Sequence, residues 1–85
     1  MKTRVAVIGV IVENKESVNR LNEILHEYAD CIIGRMGIPY RAKKINIISL
    51  AVDATEEEIA ALTGQIGRLE GISCKTAYSA FFSEE

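Results

Sequence analysis

The chain has little of the material from which metal and disulfide sites are built. Its 85 residues include two cysteines, one histidine and no tryptophan. Cys31 and Cys74 lack the CxxC spacing of zinc or redox sites, and two cysteines make no disulfide framework. A metal site usually needs roughly three or four convergent ligands, more than this chain offers. We therefore expect no metal and no cofactor, and the sparing use of cysteine is typical of a cytoplasmic protein.

Long apolar segments and an apolar leader are also missing. The longest apolar runs, residues 5–12 and 45–52, are too short to cross a bilayer, so we expect no membrane association. The net charge of −2 argues against binding nucleic acid through the whole surface. The sequence has no phosphate loop and no set of nucleophile, base and acid, so we expect no enzymatic activity.

Strand and helix patterns alternate along the chain. They predict strands at residues 5–12, from 31, at 45–53 and at 72–79, and helices at residues 15–29 and from 55. The order βαββαβ predicts an α+β, ferredoxin-like fold. Such a fold has a four-stranded antiparallel sheet with two helices on one face, and the crossover rule places the first and third strands in its centre.

The length and composition indicate a single domain over residues 1–85. With 48% hydrophobic and 26% charged residues, the chain is typical of a globular protein and not of a disordered one. We place the core at residues 4–79 and expect residues 80–85 to form a flexible tail.

The helix ends carry local signals. Thr55 followed by Glu58 is a capping box, which predicts a helix start. Asn14 or Ser17 caps the first helix, and the pattern does not decide which. Gly71 is the expected C-terminal cap of the second helix.

Both central strands are apolar on both faces, although two helices cover only one face of such a sheet. A monomer would expose isoleucine, valine and leucine over a larger area than soluble monomers usually show. We therefore predict a homo-oligomer, either a dimer or a tetramer, that buries the helix-free face or extends the sheet edge to edge. The alternative is a monomer with an adhesive face.

The segment over residues 31–44, CIIGRMGIPYRAKK, stands out by its charge. It holds four basic residues and no acidic one, whereas the rest of the chain has six Lys or Arg against twelve Asp or Glu. Its arginines suit a small anionic ligand with a phosphate or carboxylate group, or an acidic protein partner. The alternative is a solvated hairpin whose basic side chains protect an edge strand from aggregation. Strand alternation places Gly34 and Met36 on the face opposite Arg35, so the charges need not converge.

Two segments carry a resemblance that spans residues 5–79: IIGRMGIPYR at residues 32–41 and LTGQIGRLEGISCKTAYS at residues 62–79. The chain resembles the short ACT-like proteins described as regulators of the iron-only hydrogenase system. These are similar to the ligand-binding domain of nickel-responsive repressors. The resemblance implies an ACT-like ferredoxin fold, oligomerisation and a regulatory, non-catalytic role.

The chain departs in two ways from the proteins that it resembles. ACT domains that bind amino acids usually have a glycine in the turn after the first strand, but residues 13–17 contain none. The missing glycine argues against an amino-acid effector bound at this turn. Nickel-responsive regulators need several histidines, whereas this chain has only His26, which argues against nickel binding. The chain also has no separate DNA-binding element, so an effect on transcription would need a partner.

We therefore predict a regulatory module that senses a small ligand, or relays a signal, in transcriptional or metabolic regulation of the hydrogenase system. The candidate ligand-binding or partner-binding residues are Asn14, Ser17, Gly34, Arg35, Gly37, Tyr40 and Arg41. The alternative is a ligand-free protein-interaction module that docks on a larger enzyme or maturation factor. Direct binding of nucleic acid by the hairpin is a weaker hypothesis, because the rest of the chain is acidic.

Overall fold

The computed structural model describes the backbone of residues 2–84 and the side chains of residues 2–80. Two helices and four strands follow one another in the predicted order, which is thereby confirmed. They are β1 (Lys2–Val12), α1 (Val18–Glu27), β2 (Ile32–Tyr40), β3 (Ile45–Ala54), α2 (Glu56–Gly67) and β4 (Ile72–Glu84). Short 3₁₀ turns flank α1 on both sides, and a third joins β2 to β3.

The four strands form one antiparallel sheet in the order β2–β3–β1–β4. The two long apolar strands, β1 and β3, lie in the centre as predicted, with Ile8 opposite Leu50. Together with the two helices this is the α+β, ferredoxin-like arrangement. Because every pair is antiparallel, β1 and β2 end where β3 and β4 begin, at a single end of the sheet.

Burial alternates along the central strands and separates the two faces of the sheet. Ile8 and Leu50 are fully buried beneath the helices, whereas Val7 is 45% and Ile47 is 39% exposed on the opposite face. The helices bury their apolar stripes on the first face; these residues are Leu21, Ile24, Leu25, Ile59, Leu62 and Ile66. A single chain therefore covers only one face of strands that are apolar on both.

The first helical region is more divided than the sequence pattern predicts. In place of one helix over residues 15–29, a 3₁₀ turn at Lys15–Ser17 leads into α1, and a second 3₁₀ turn follows it at Ala29–Cys31. The Asn14 side chain caps the first turn, where its Oδ1 accepts a hydrogen bond from the Glu16 N–H at 2.9 Å. Ser17 stands at the N-cap of α1 without a capping hydrogen bond from its side chain. The two predicted caps are thus divided: Ser17 holds the N-cap position of α1, whereas Asn14 makes the capping hydrogen bond, at the 3₁₀ turn before it.

The second helix begins as its sequence predicts. Thr55 Oγ1 accepts from the Glu58 N–H at 3.1 Å, and Glu58 Oε1 accepts from the Thr55 N–H at 3.0 Å, so both halves of the capping box are formed. Three glutamates in the first turn suit the positive end of the helix dipole.

Within residues 2–84 no helix has the length and apolar character needed to cross a membrane.

The last strand is longer than the sequence predicts. β4 continues to Glu84 and pairs with the beginning of β1, with Phe82 opposite Arg4. A register shift between Arg4 and Ala6 marks a bulge at this point. Residues 80–84 are therefore strand and not the flexible tail expected from their position, because β1 begins early enough to supply backbone partners. Residue 85 lies outside the described residues.

Candidate functional site

Three connections meet at the end of the sheet where β1 ends: the β1–α1 loop, the β2–β3 turn and the α2–β4 turn. The β2–β3 turn is the 3₁₀ turn Arg41–Lys43, closed by Lys44 in the left-handed region at φ 59°. Non-glycine residues adopt this conformation uncommonly. The predicted basic hairpin is therefore confirmed as a tight connection between β2 and β3.

Glu13 and Ser17 tie the β1–α1 loop to the α2–β4 turn. Ser17 Oγ donates to the Glu70 carbonyl at 2.7 Å, and the Glu13 N–H donates to the Gly71 carbonyl at 2.7 Å. The Asn14 side chain is used by its capping bond. Of the two candidate side chains, Ser17 therefore holds one loop against the other, whereas the Asn14 amide is engaged within its own loop.

The candidate residues of β2 divide between the two faces of the sheet. Gly34 and Met36 pair with Ala51 and Ser49 on the helix-free side, as strand alternation predicts. Arg35 pairs with the buried Leu50, so it lies on the helix side. Gly37 is opposite Ile48 and shares that side with Arg35. The register shift between Ile32 and Gly34 sets this phase, since one extra residue enters the strand there.

Arg35 and Gly37 line a groove between α1 and β2, which we call the α1–β2 groove. Its volume is about 270 Å³, and its lining residues are Val12, Val18, Leu21, Asn22, Arg35, Gly37, Ile38, Pro39, Asn46 and Ile48. A Cβ atom added at Gly37 would meet no heavy atom within 4 Å. The groove exists in part because a glycine stands where another strand residue would project a side chain.

A second cavity, which we call the hairpin pocket, adjoins the groove through Pro39 and Asn46. Its volume is about 230 Å³, and it is lined by Lys15, Pro39, Tyr40, Arg41, Lys44, Ile45 and Asn46. The fold thus unites Tyr40 and Arg41 with Lys15 of the first loop, while Arg35 stands apart in the groove. The charges converge in two groups and not in one.

These cations have no acidic partners among the side chains that the structure describes. The ion pairs of that part of the chain join Arg4 to Glu56 and Arg20 to Glu23 and Glu27. Arg35 makes only a long contact, 3.5 Å from its Nη2 to the Asn22 Oδ1. The groove and the hairpin pocket are therefore positive, as expected for sites that receive anions.

Sequence reasoning missed Asn22 and Lys15, which line these two cavities. Asn22 follows Leu21 at the border of the apolar stripe of α1, and its side chain reaches Arg35 of β2. Lys15 precedes α1 and reaches the hairpin pocket only through the meeting of two loops. The position of Asn22 beside the stripe was a weak signal, and nothing in the sequence marked Lys15.

His26 and the two cysteines are the residues of this chain that bear most on metal binding. His26 lines a shallow cavity beside Arg35, and no group of three or more His, Cys, Asp or Glu side chains within residues 2–80 could hold a metal ion. Burial, followed by the nearby Glu58 carboxylate, raises the pKa of Cys31 above its ordinary value. Burial also raises the pKa of Cys74, whose Sγ lies 3.7 Å from the Thr63 carbonyl. Raised thiol pKa values oppose metal binding, which needs the thiolate.

The helix-free face of the sheet is apolar and exposed. Across its centre Ile38, Ile47 and Ile11 lie side by side on β2, β3 and β1. The exposed apolar side chains of this face are Val7, Ile11, Met36, Ile38, Tyr40 and Ile47, between 39% and 67% accessible. The surplus of apolar surface predicted for a single chain is confirmed.

The fold and these surfaces define a small ferredoxin-like domain with an exposed apolar sheet face and a positive hairpin. Residues 4–76 match the TM1266-like family, which is provisionally described as iron-only hydrogenase system regulators. The chain belongs to this family, and the resemblance found in the sequence is confirmed.

A relative in Saccharolobus solfataricus is provisionally named a nickel-responsive regulator. It is 30% identical over 66 residues, which are 78% of this chain and 49% of the relative. The chain thus spans about half the length of the curated relative that it matches.

Two solved structures share the fold. The uncharacterized protein TM1266 from Thermotoga maritima superposes with a TM-score of 0.86 at 28% identity, over 89% of this chain and 96% of that one. The C-terminal domain of the MgtC protein from Mycobacterium tuberculosis gives 0.71 at 7% identity, over 89% and 87% of the two chains. The second match is a likeness of fold alone.

Proposed function

We propose that this protein is a non-catalytic, ACT-like regulatory module of the iron-only hydrogenase system. It works in the cytoplasm as a homo-oligomer that senses a small ligand and relays the signal in transcriptional or metabolic regulation. The observation that carries the proposal is the exposed apolar sheet face beside a positive hairpin. The family name supports the regulatory role and the link to hydrogenase.

The helix-free face supports the oligomer. Five of its exposed apolar side chains occupy neighbouring register positions on three adjacent strands and form one patch; these are Ile11, Met36, Ile38, Tyr40 and Ile47. Patches of this kind commonly mark interaction sites on soluble proteins. Burial of apolar surface contributes about 25 cal/mol per Å², so covering a few hundred Å² stabilises an assembly by several kcal/mol.

The position of β2 supports the sensor. This edge strand presents Met36 and Ile38 to the helix-free face and Arg35 and Gly37 to the α1–β2 groove. A ligand in the groove therefore contacts the same strand that borders the subunit interface. Binding shifts the assembly if the ligand favours one arrangement of β2 over another.

Native mass spectrometry of the wild type and two lysine variants tests the assembly. Ile47→Lys places a charge at the centre of the row formed by Ile11, Ile38 and Ile47, and we expect it to yield monomers. Ala60→Lys, on the exposed side of α2, is the control, and we expect it to keep the wild-type number of subunits. A wild-type monomer, or an Ile47→Lys variant that assembles normally, would contradict the oligomer. Release of a small molecule of defined mass from the wild type on mild collisional activation would support the ligand-sensing function.

The length of the curated relative favours a second function, a ligand-free module that docks on a larger enzyme or maturation factor. That relative extends well beyond the matched region, so its corresponding domain is joined to further protein. In this alternative the helix-free face binds a different protein. The double variant Arg35→Ala, Arg41→Ala separates the two: it weakens ligand binding in the sensor, whereas docking through the apolar face is unaffected.

A further inference from the structure

We propose that the α1–β2 groove binds a small monocarboxylate with an apolar body and no amino group. This inference rests on the ligand-sensing function proposed above and names the chemical class of the ligand and its position. The carboxylate lies against Arg35 and Asn22, and the apolar body lies over Gly37.

The size of the groove sets the size of the ligand. Its volume is about 270 Å³. Pockets for drug-sized ligands begin at about 300 Å³, so the groove suits a small metabolite. Gly37 is essential to this space, because any larger side chain on the helix side of β2 would project into it.

The walls of the groove suit an apolar body. Val12, Leu21 and Ile48 line it and are themselves at least nine-tenths buried, so the groove reaches down to the core. Val18 and Ile38 complete the apolar lining. A ligand lying there removes its own apolar surface from water at little cost in ordering the protein, since these residues are already packed.

The charge at the groove suits a carboxylate. A guanidinium offers five N–H donors in a planar fork, and Arg35 uses one of them in a long contact of 3.5 Å to Asn22 Oδ1. No carboxylate among the described side chains forms an ion pair with Arg35. Arg35 can therefore donate two parallel hydrogen bonds to a carboxylate, with Asn22 as a neighbouring amide.

The same charges exclude an amino acid. No Asp or Glu is among the described residues that line the groove or the adjoining hairpin pocket, whereas Arg35, Lys15, Arg41 and Lys44 all are. An ammonium group on the ligand would therefore be repelled without a compensating carboxylate. Discrimination against the amine arises from this repulsion.

Three probes with one carbon skeleton test the proposal: 4-methylpentanoate, its neutral amide 4-methylpentanamide, and L-leucine. Each is titrated into uniformly ¹⁵N-labelled protein, and the backbone resonances of Asn22 and Gly37 are followed. We expect 4-methylpentanoate to shift these resonances with a Kd of about 1 mM or below, and the other two to bind at least about tenfold more weakly. No shift with 4-methylpentanoate up to about 20 mM, or equal binding of the amide or of L-leucine, would overturn the proposal.

Two substitutions of glycine by valine in one strand supply the matched variants. Gly37→Val fills the groove and should weaken binding of 4-methylpentanoate at least about tenfold. Gly34, a candidate contact in the sequence, lies on the opposite face and does not line the groove; Gly34→Val, where an added Cβ also has open space, should leave binding intact. Valine is a favourable residue in a strand. Thermal denaturation shows whether each variant is folded. If Gly37→Val is not folded, Gly37→Ala takes its place.

A charge variant and the native mass complete the experiment. Arg35→Gln should weaken the binding of 4-methylpentanoate at least about tenfold and leave the binding of the amide unchanged. If Gly37→Val or Arg35→Gln bound 4-methylpentanoate as tightly as the wild type does, the assignment of the ligand to the groove would be overturned. Loss of probe binding in an intact oligomer refutes only the carboxylate site, whereas a monomer that binds the probe keeps the site and refutes the oligomeric sensor.

Discussion

Gly71 and Asn14 are in contact where the α2–β4 turn meets the β1–α1 loop. Gly71 has φ +72°, and a Cβ atom there would lie 2.4 Å from the Cβ of Asn14 and 3.0 Å from its backbone nitrogen. Position 71 therefore requires glycine for two reasons, the backbone conformation and the closeness of the neighbouring loop. The contact also holds in place the loop that supplies Lys15 to the hairpin pocket.

Gly71→Ala should lower the free energy of unfolding by about 2 kcal/mol or more, because it adds a strained left-handed residue and a clash with Asn14. Gly64→Ala is the matched control with the opposite sign. Gly64 is exposed within α2 with open space for a methyl group, so alanine should raise the stability by about 1 kcal/mol. Urea denaturation of both variants measures the difference. Equal effects in the two variants would refute the steric account of Gly71.

Thr55→Ala should cost about 1 kcal/mol of stability, because it leaves the Glu58 N–H without its capping acceptor. Thr55→Ser keeps the hydroxyl and should stay close to the wild type. Denaturant midpoints at equal slope give the two values. A serine variant as unstable as the alanine variant would show that the threonine methyl group, and not the cap, matters.

Tyr28→Phe should destabilise the packing of α1 against α2. The Gln65 Nε2 donates to the Tyr28 hydroxyl at 2.6 Å, in a partly buried contact between the helices. Loss of one such bond costs about 1 kcal/mol. Tyr40→Phe, at an exposed side chain of β2, is the control and should change the stability by less than about 0.5 kcal/mol. A null effect of Tyr28→Phe by thermal denaturation would contradict this role.

The Cys31 thiol should react slowly with iodoacetamide at neutral pH. Burial and the Glu58 carboxylate hold its pKa above the ordinary value of 9.0, and the thiolate is the reactive form. The native state thus binds this proton more tightly than the unfolded state does. The resulting stability is complete below about pH 9 and is lost as the pH rises through the native pKa.

The rate of alkylation as a function of pH, measured in a Cys74→Ser variant, reports on Cys31 alone. Its midpoint should lie above that of an unfolded peptide containing the same cysteine. A midpoint below that of the peptide would contradict the dominance of burial and Glu58.

Inorganic phosphate should raise the Tm more than sodium chloride at equal ionic strength. Lys15, Arg41 and Lys44 line the hairpin pocket without ion-pair partners among the described side chains, and an anion that binds only the native state stabilises it. The difference should disappear in Lys15→Gln, Arg41→Gln. Arg68→Gln, which removes a charge beside the end of α2, should retain it. Equal Tm values in the two salts would refute an anion site at the hairpin.

Much of the fold was predictable because it depends on local patterns. A few consecutive residues are enough to predict each of three features: the apolar runs of β1 and β3, the capping box at Thr55 and the turn after Tyr40. The end of the chain was not predictable in this way. Residues 80–84 become strand only because the first residues of β1 lie beside them, and no local signal reports that partner.

The candidate site was predictable in composition but not in arrangement. Arg35, Gly37, Tyr40 and Arg41 were identified from the charge and glycine content of one segment, and each lines a cavity. Their division between two cavities follows from the pleat and register of β2. Whether they bind a ligand stays a prediction.

The sequence by itself determined the order of the elements, the two-faced apolar character of the central strands and the concentration of positive charge in one hairpin. These properties depend on residue types and on spacing along the chain. Only the tertiary structure decided that Ser17 joins the first loop to Glu70, that Lys15 joins Arg41, and that Asn22 joins Arg35. The reason is physical: these contacts join residues from separate elements, and their distances are set by the packing of helices on the sheet.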